Sequence, residues 1–232
     1  MPKAKELTYT QQFQQAFKSL CYSRSNWKVW GDFITMSACT ISNAADKAMF
    51  EQREEMYMRT IQDYSKDELV CMAELFAITV MALEENQKQD FLGGIYIELG
   101  LLNKQLCQVF TPYHLAQVMA EMAFENISLQ IAEKGFASVS DPTCGSGVML
   151  IAAANVAREK GINYQRSMVF VGQDIDFTVA MMAYIQLTLL GCAGYVGVGN
   201  TLTEPLPSRE NIWHIPMNRI HRKLWEDFYH SN

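Results

Sequence analysis

Residues 177–203 carry no charge at all, and a run of that length leaves few options. A helix crossing a bilayer needs about 20 consecutive apolar residues. This run is broken by Gln186, Thr188 and glycines at 191, 194, 197 and 199, which stop a helix well short of a span. A buried helix over residues 177–190, a turn, and a buried strand over residues 195–198 fit instead. The membrane is excluded as a partner on this reading.

A segment buried on all sides needs apolar layers around it, and the preceding sequence supplies them. Residues 137–140 read as a strand, 146–160 as a helix closed by Gly161, and 168–171 as a second strand. Strands alternating with helices imply a mainly parallel sheet with crossover helices. Upstream the texture is helical. Residues 10–22 and 27–41 show apolar side chains at helical spacing, and 47–64 is charged on one face. Ser65-Lys66-Asp67-Glu68 reads as a capping box, opening a helix to about residue 85 that is apolar on nearly every side and so is expected to be central. A further helix begins at Asp90-Phe91-Leu92-Gly93. Thr111 is expected to cap another, with Pro112 in its first position, running to about residue 124. No internal repeat or low-complexity tract is present. The expected fold class is α/β: an N-terminal helical bundle over residues 1–105, an α/β domain over 106–205, and a tail over 206–232.

Charge and cysteine content narrow the function. Nineteen Lys and Arg against 25 Asp and Glu give a net charge of −6. That argues against a protein that holds nucleic acid by phosphate neutralisation alone, though it permits a local basic face. The six cysteines are scattered, with no Cys-x-x-Cys pair, and read as reduced, mostly buried thiols of a cytoplasmic protein. The N-terminus lacks the apolar stretch of a signal peptide.

The chemistry concentrates in Asp141-Pro142-Thr143-Cys144-Gly145-Ser146-Gly147, between an expected strand and an expected helix. Glycines there let backbone approach a ligand, and the helix start offers free amides. Leu150 occupies the third position of Gly-x-Gly-x-x-Gly, which disfavours a nicotinamide cofactor, and no Gly-Lys-Ser/Thr follows. Three further segments keep order with it: Gln108-Val109-Phe110-Thr111-Pro112 upstream, Gly172-Gln173-Asp174-Ile175-Asp176 after the second strand, and Gly199-Asn200-Thr201-Leu202 after the third.

Together these four segments resemble the N6-adenine DNA methyltransferase family, and the chain is similar to the modification subunit of type I restriction systems. The resemblance covers roughly residues 90–205 and implies a Rossmann-like domain that binds S-adenosylmethionine. It implies cofactor contacts at Phe110, Thr111, Pro112, Asp141, Pro142, Thr143, Cys144, Gly145, Ser146, Gly147, Asp174, Ile175, Asn200 and Leu202. Asp141 would face the methionine ammonium. Phe110 and Thr111 would hold the methionine end, and Asp174 the ribose hydroxyls, with Asp176 as the substitute if the turn is shifted. Asn200, where the family usually has an aspartate, would lie beside the adenine amino group.

The family's base-holding tetrapeptide, Asn/Asp/Ser-Pro-Pro-aromatic, has no counterpart, since no two of the six prolines are adjacent. Catalytic residues are therefore unassigned. Cys107 and Val109 also depart from the family's pattern. The domain is expected to be truncated after its third strand, leaving the free side of the first strand to be covered by the tail, a second copy or a complementing subunit. The tail holds Trp213, Trp225, Phe228, Tyr229, three histidines and four basic residues. The expected packing is an amphipathic helix laid on the sheet or on a partner. The histidines lack metal-ligand spacing, so no metal is assigned. The expected function is methyl transfer to DNA adenine when a partner or a second copy completes the site. The alternative is a catalytically inactive cofactor-binding or regulatory subunit.

Overall fold

The computed structural model describes residues 7–102 and 108–231. Five helices come first: α1 (Tyr9–Leu20), α2 (Asn26–Ala45), α3 (Phe50–Ile61), α4 (Lys66–Glu85) and α5 (Phe91–Glu98). Most start at a short polar side chain that accepts from a first-turn amide lacking a helical partner. Thr8 does this for α1, Ser25 for α2, Ser65 for α4 and Asp90 for α5. Ser65 and Glu68 close the expected capping box in both directions.

Next come α6 (Tyr113–Lys134), β1 (Ala137–Asp141), α7 (Val148–Glu159), α8 (Tyr164–Ser167), β2 (Met168–Asp174), α9 (Phe177–Leu189) and β3 (Ala193–Val198). The tail adds β4 (Ile212–His214), α10 (Met217–Ile220) and α11 (Arg222–Ser231). The sheet order is β1-β2-β3-β4. β1 and β3 pair parallel to β2, and β4 runs antiparallel to β3.

Several expectations are corrected. Thr111 does not cap α6: Pro112 holds the cap position in extended backbone, and no side chain caps the helix. The helix also runs on to Lys134, because neither glycine nor proline interrupts it before Gly135. α4 is not central. Val70 on it is 66% exposed, and the helix buries one face through Met72, Leu75, Ile78, Ala82 and Leu83. The central helix is α9, where every residue from Val179 to Leu187 is buried. It packs between α2 and the sheet, so helices and sheet share one continuous apolar core. Cys39, Cys144 and Cys192 are buried and Cys21 and Cys71 partly so, all as free thiols; Cys107 lies outside the described residues.

The side chains of β2 alternate as a strand requires. Met168 and Phe170 enter the main core, while Val169 packs on the opposite face with Phe136, Ala193 and Leu224. α11 lies on that second face, adding Trp225 and Phe228. β4, a strand not foreseen in the sequence, extends the sheet past β3. The free side of β1 is not where the tail adds its strand: among the described residues β1 pairs with β2 alone. No described helix is long and apolar enough to cross a membrane.

Arg53 ties the helices to the tail. Its side chain is 2% exposed, donates to Asp46 at 3.0 Å and to the Ile212 carbonyl at 2.8 Å, and also meets Ser42. The guanidinium lies 4.2 Å from the Trp213 ring centroid. Arg53→Ala leaves Asp46 without its cation and opens a void beneath β4. The expected cost is about 3 kcal/mol in urea unfolding; a loss below about 1 kcal/mol would show that the contact contributes little.

Candidate functional site

The four segments singled out in the sequence meet at the C-terminal ends of β1, β2 and β3, around a cleft of about 600 Å³. That is an ordinary size for a small-molecule site. One wall is the arm before α6, with Gln108, Val109, Phe110 and Thr111. The floor is the loop after β1, from Asp141 through Pro142, Thr143, Cys144 and Gly145 to Ser146, together with Val148 and Met149 of α7. Asp174 and Ile175 follow β2, and Gly199, Asn200, Thr201 and Leu202 follow β3. Two expected residues stand outside this wall. Pro112 sits at the start of α6. Gly147 is buried behind the loop at φ 93°, where a Cβ would lie 3.1 Å from that of Ala183. Its role is to let α7 begin hard against α9.

Short bonds fix the loop. The amide of Thr143 donates to Asp141 at 3.1 Å, and that of Gly145 to Asp174 at 2.9 Å. The Cys144 amide donates to the Gln173 carbonyl at 2.9 Å. No side chain caps α7, so its first amides keep their partial positive charge at the cleft, where Val148 and Met149 line it.

Both cleft carboxylates are electrostatically uncomfortable. Burial pushes Asp141 above the usual carboxylate range; the Thr143 amide pulls it back and the charge of Asp174 raises it further. Burial likewise raises Asp174, against the amides of Asp176 and Gly145. Two desolvated acids in one cleft favour a ligand carrying positive charge and hydroxyl donors. The Cys144 thiol is pushed well up, first by burial and then by these two acids. It stays protonated and packs beneath the loop against Gly172, where an added Cβ would meet its Sγ at 3.0 Å.

The remaining predicted residues take distinct places. Ile175 and Leu202 form an exposed rim, 58% and 93% accessible. Asn200 turns its Oδ1 back to accept from the Leu202 amide at 3.0 Å. Asp176 is not part of the wall: it caps α9 through the Val179 amide and accepts from Gln108 Nε2 at 3.0 Å. Asp174 is therefore the acid that faces the cleft.

Sequence reasoning missed the supports. Thr201 donates to the Pro142 carbonyl at 2.6 Å, joining the third-strand loop to the glycine loop. Phe110 packs on Tyr96 with centroids 5.6 Å apart, and Tyr96 in turn meets Trp27 and Trp30. The Tyr96 hydroxyl donates to Gln108 at 3.3 Å. Beneath the loop, Asp90 accepts from Ser146 Oγ, from the Gly93 amide at 2.9 Å and from Gln186 Nε2 at 2.8 Å. One signal was available in the sequence: a glutamine in the middle of an otherwise apolar helix requires a polar partner.

The N-6 DNA Methylase family model matches residues 87–227, more than half of the chain. The chain belongs to the N-6 DNA Methylase family. Both the cleft and α5 fall within the matched residues. Among solved structures, this N-6 DNA Methylase chain is similar to the methyltransferase subunit of a type I restriction-modification system from Streptococcus thermophilus. Identity is 16% and the TM-score 0.43, over 87% of this chain and 60% of that one. The chain thus spans less than two thirds of that subunit's length. No curated protein matches it in sequence.

Proposed function

We propose that the cleft binds S-adenosylmethionine and that the chain serves methyl transfer to the N6 amino group of adenine in DNA. The observation that carries this reading is the convergence of all four motif segments on one cleft holding two desolvated carboxylates. The residues fit the cofactor's three polar ends. Asp141 takes the methionine ammonium, with Phe110 and Thr111 closing over that end. The uncapped amides at the start of α7 suit its carboxylate. Asp174 accepts from the ribose hydroxyls with the lone pairs its two amide donors leave free. Ile175 and Leu202 flank the adenine, and Asn200, its oxygen already engaged, offers the amide nitrogen. Bound there, the cofactor supplies an activated methyl group, and the chain binds, orients and excludes water.

In this reading residues 106–205 hold the cofactor, 1–105 support them, and 206–232 brace the sheet. The protein works in the cytoplasm, where its DNA substrate lies. No adjacent prolines occur in these 232 residues, so in this reading the group that holds the flipped adenine is supplied from outside them. The same feature favours one alternative, a cofactor-binding subunit without catalysis of its own. Titration calorimetry with S-adenosylmethionine tests the core of the proposal. One site per chain is expected, with stability raised by about 2.7 kcal/mol at a hundredfold excess over Kd. Silence at millimolar cofactor would end both readings. Tritium transfer to adenine-containing DNA by the chain alone is expected to be absent, and label incorporated by it would overturn the need for a partner.

A further inference from the structure

Asp90 is separated by 56 residues from Ser146 and by 96 from Gln186, yet all three meet beneath the glycine loop. Its carboxylate carries a full set of donors: the Ser146 hydroxyl, the Gly93 amide and the Gln186 amide. Gln186, fully buried in α9, spends its other valences nearby, donating to the Ser146 carbonyl at 2.9 Å and accepting from the Leu92 amide at 3.1 Å. Ser146 is thus gripped at both of its oxygens, hydroxyl and carbonyl. Gly93 makes room for the grip, since a Cβ there would fall 2.0 Å from Asp90 Oδ2 and 2.6 Å from Ser146 Oγ. None of these three supports lines the cleft, whereas Ser146 does.

We infer that Asp90 is a positioning residue: through Ser146 it holds the glycine loop in its ligand-binding shape, making α5 of the helical half a determinant of cofactor affinity. The inference rests on the cofactor reading above. A loop of glycines pays heavily in backbone entropy when it is ordered by a ligand, and a loop already ordered by Asp90 avoids that cost at the moment of binding. Burial opposes the charge on Asp90, and the three donors are what keep such a group in place. The grip needs an acceptor rather than a charge. Asparagine can keep its oxygen toward Gly93 and Gln186 while turning its amide nitrogen to the Ser146 oxygen.

Two measurements on the full chain test this. Amide hydrogen exchange of a peptide spanning residues 141–150, without ligand, reads the loop directly. Calorimetry with S-adenosylmethionine reads the affinity. Asp90→Ala is expected to speed loop exchange and to weaken binding about tenfold or more. Asp90→Asn should restore both to within about threefold. Ser146→Ala removes only the hydroxyl, and so keeps the test open if Asp90→Ala fails to fold; it should move both in the same direction. Unchanged loop exchange in folded Asp90→Ala and in Ser146→Ala would overturn the inference, as would Asp90→Asn behaving like Asp90→Ala. If the wild-type chain shows no binding, the cofactor reading fails, and hydrogen exchange still decides whether Asp90 orders the loop.

Discussion

Asp141→Asn is expected to make the ligand-free chain more stable and, under the proposed reading, to weaken S-adenosylmethionine binding by about a hundredfold or more. The two effects have one cause. Burial raises the pKa of Asp141, and the neighbouring Asp174 charge raises it further, so the folded chain resists the charged form. A carboxyl raised in the folded state contributes stability below its unfolded pKa, and that contribution is lost as pH rises through the folded value. At neutral pH the charged Asp141 is a liability that a cationic ligand removes. Asparagine keeps an oxygen for the Thr143 amide, 3.1 Å away in the wild type, and drops the charge. The melting temperature should rise by up to about 3 °C at pH 7. The gap should shrink as pH falls, because the raised wild-type carboxyl takes up its proton before an ordinary carboxylate does. A variant that melts lower than wild type at pH 7, or one that binds the cofactor as tightly, would move the ammonium contact away from Asp141.

Gly194→Ala is expected to cost at least about 3 kcal/mol or to prevent folding outright. Gly194 sits in β3 at φ 140°, a backbone conformation that side chains rarely adopt. An added Cβ would lie 1.8 Å from the Phe170 carbonyl oxygen and 2.7 Å from its carbon. Those atoms belong to the neighbouring strand and cannot swing aside as a side chain would. The site is also held from the tail. Buried Asn218 accepts from the Gly194 amide at 2.6 Å and donates to its carbonyl at 2.8 Å. Any shift of β3 that relieved the clash would break this pair. Urea unfolding monitored by circular dichroism reads the loss, and a midpoint within error of wild type would contradict the geometry.

How far the sequence could be read depended on the range of the interaction. The Ser65–Glu68 capping box was legible because all its atoms lie within four consecutive residues. The cleft was legible because its glycines and acids lie in short segments just after strands, an order that parallel sheets impose, and Phe110 lies in a short segment just before a helix. Errors arose where local signals were silent. No breaker marks the last turns of α6, so its length was underestimated. The apolar residues of α4 surround the helix in sequence, and nothing within it shows that α9 fills the centre. β4 has three residues and exists only through its pairing with β3. The Asp90–Ser146–Gln186 cluster joins three elements that lie far apart in sequence, and nothing near any one of them announces the other two.

The Arg53 contact has a consequence for how the chain is made. Its acceptor at Ile212 lies 159 residues further on. Synthesis at 5–20 residues per second puts roughly 8–30 s between the two. For most of that interval α2 and α3 are outside the ribosome with a guanidinium that has neither its carbonyl nor the Trp213 ring to meet. The N-terminal helices can associate early with Asp46 and Ser42 at hand, but the guanidinium lacks its third acceptor and its ring until the tail arrives. β4 is therefore the strand that completes the first helices, and a nascent chain arrested before it should be held as a loosely packed, chaperone-accessible intermediate.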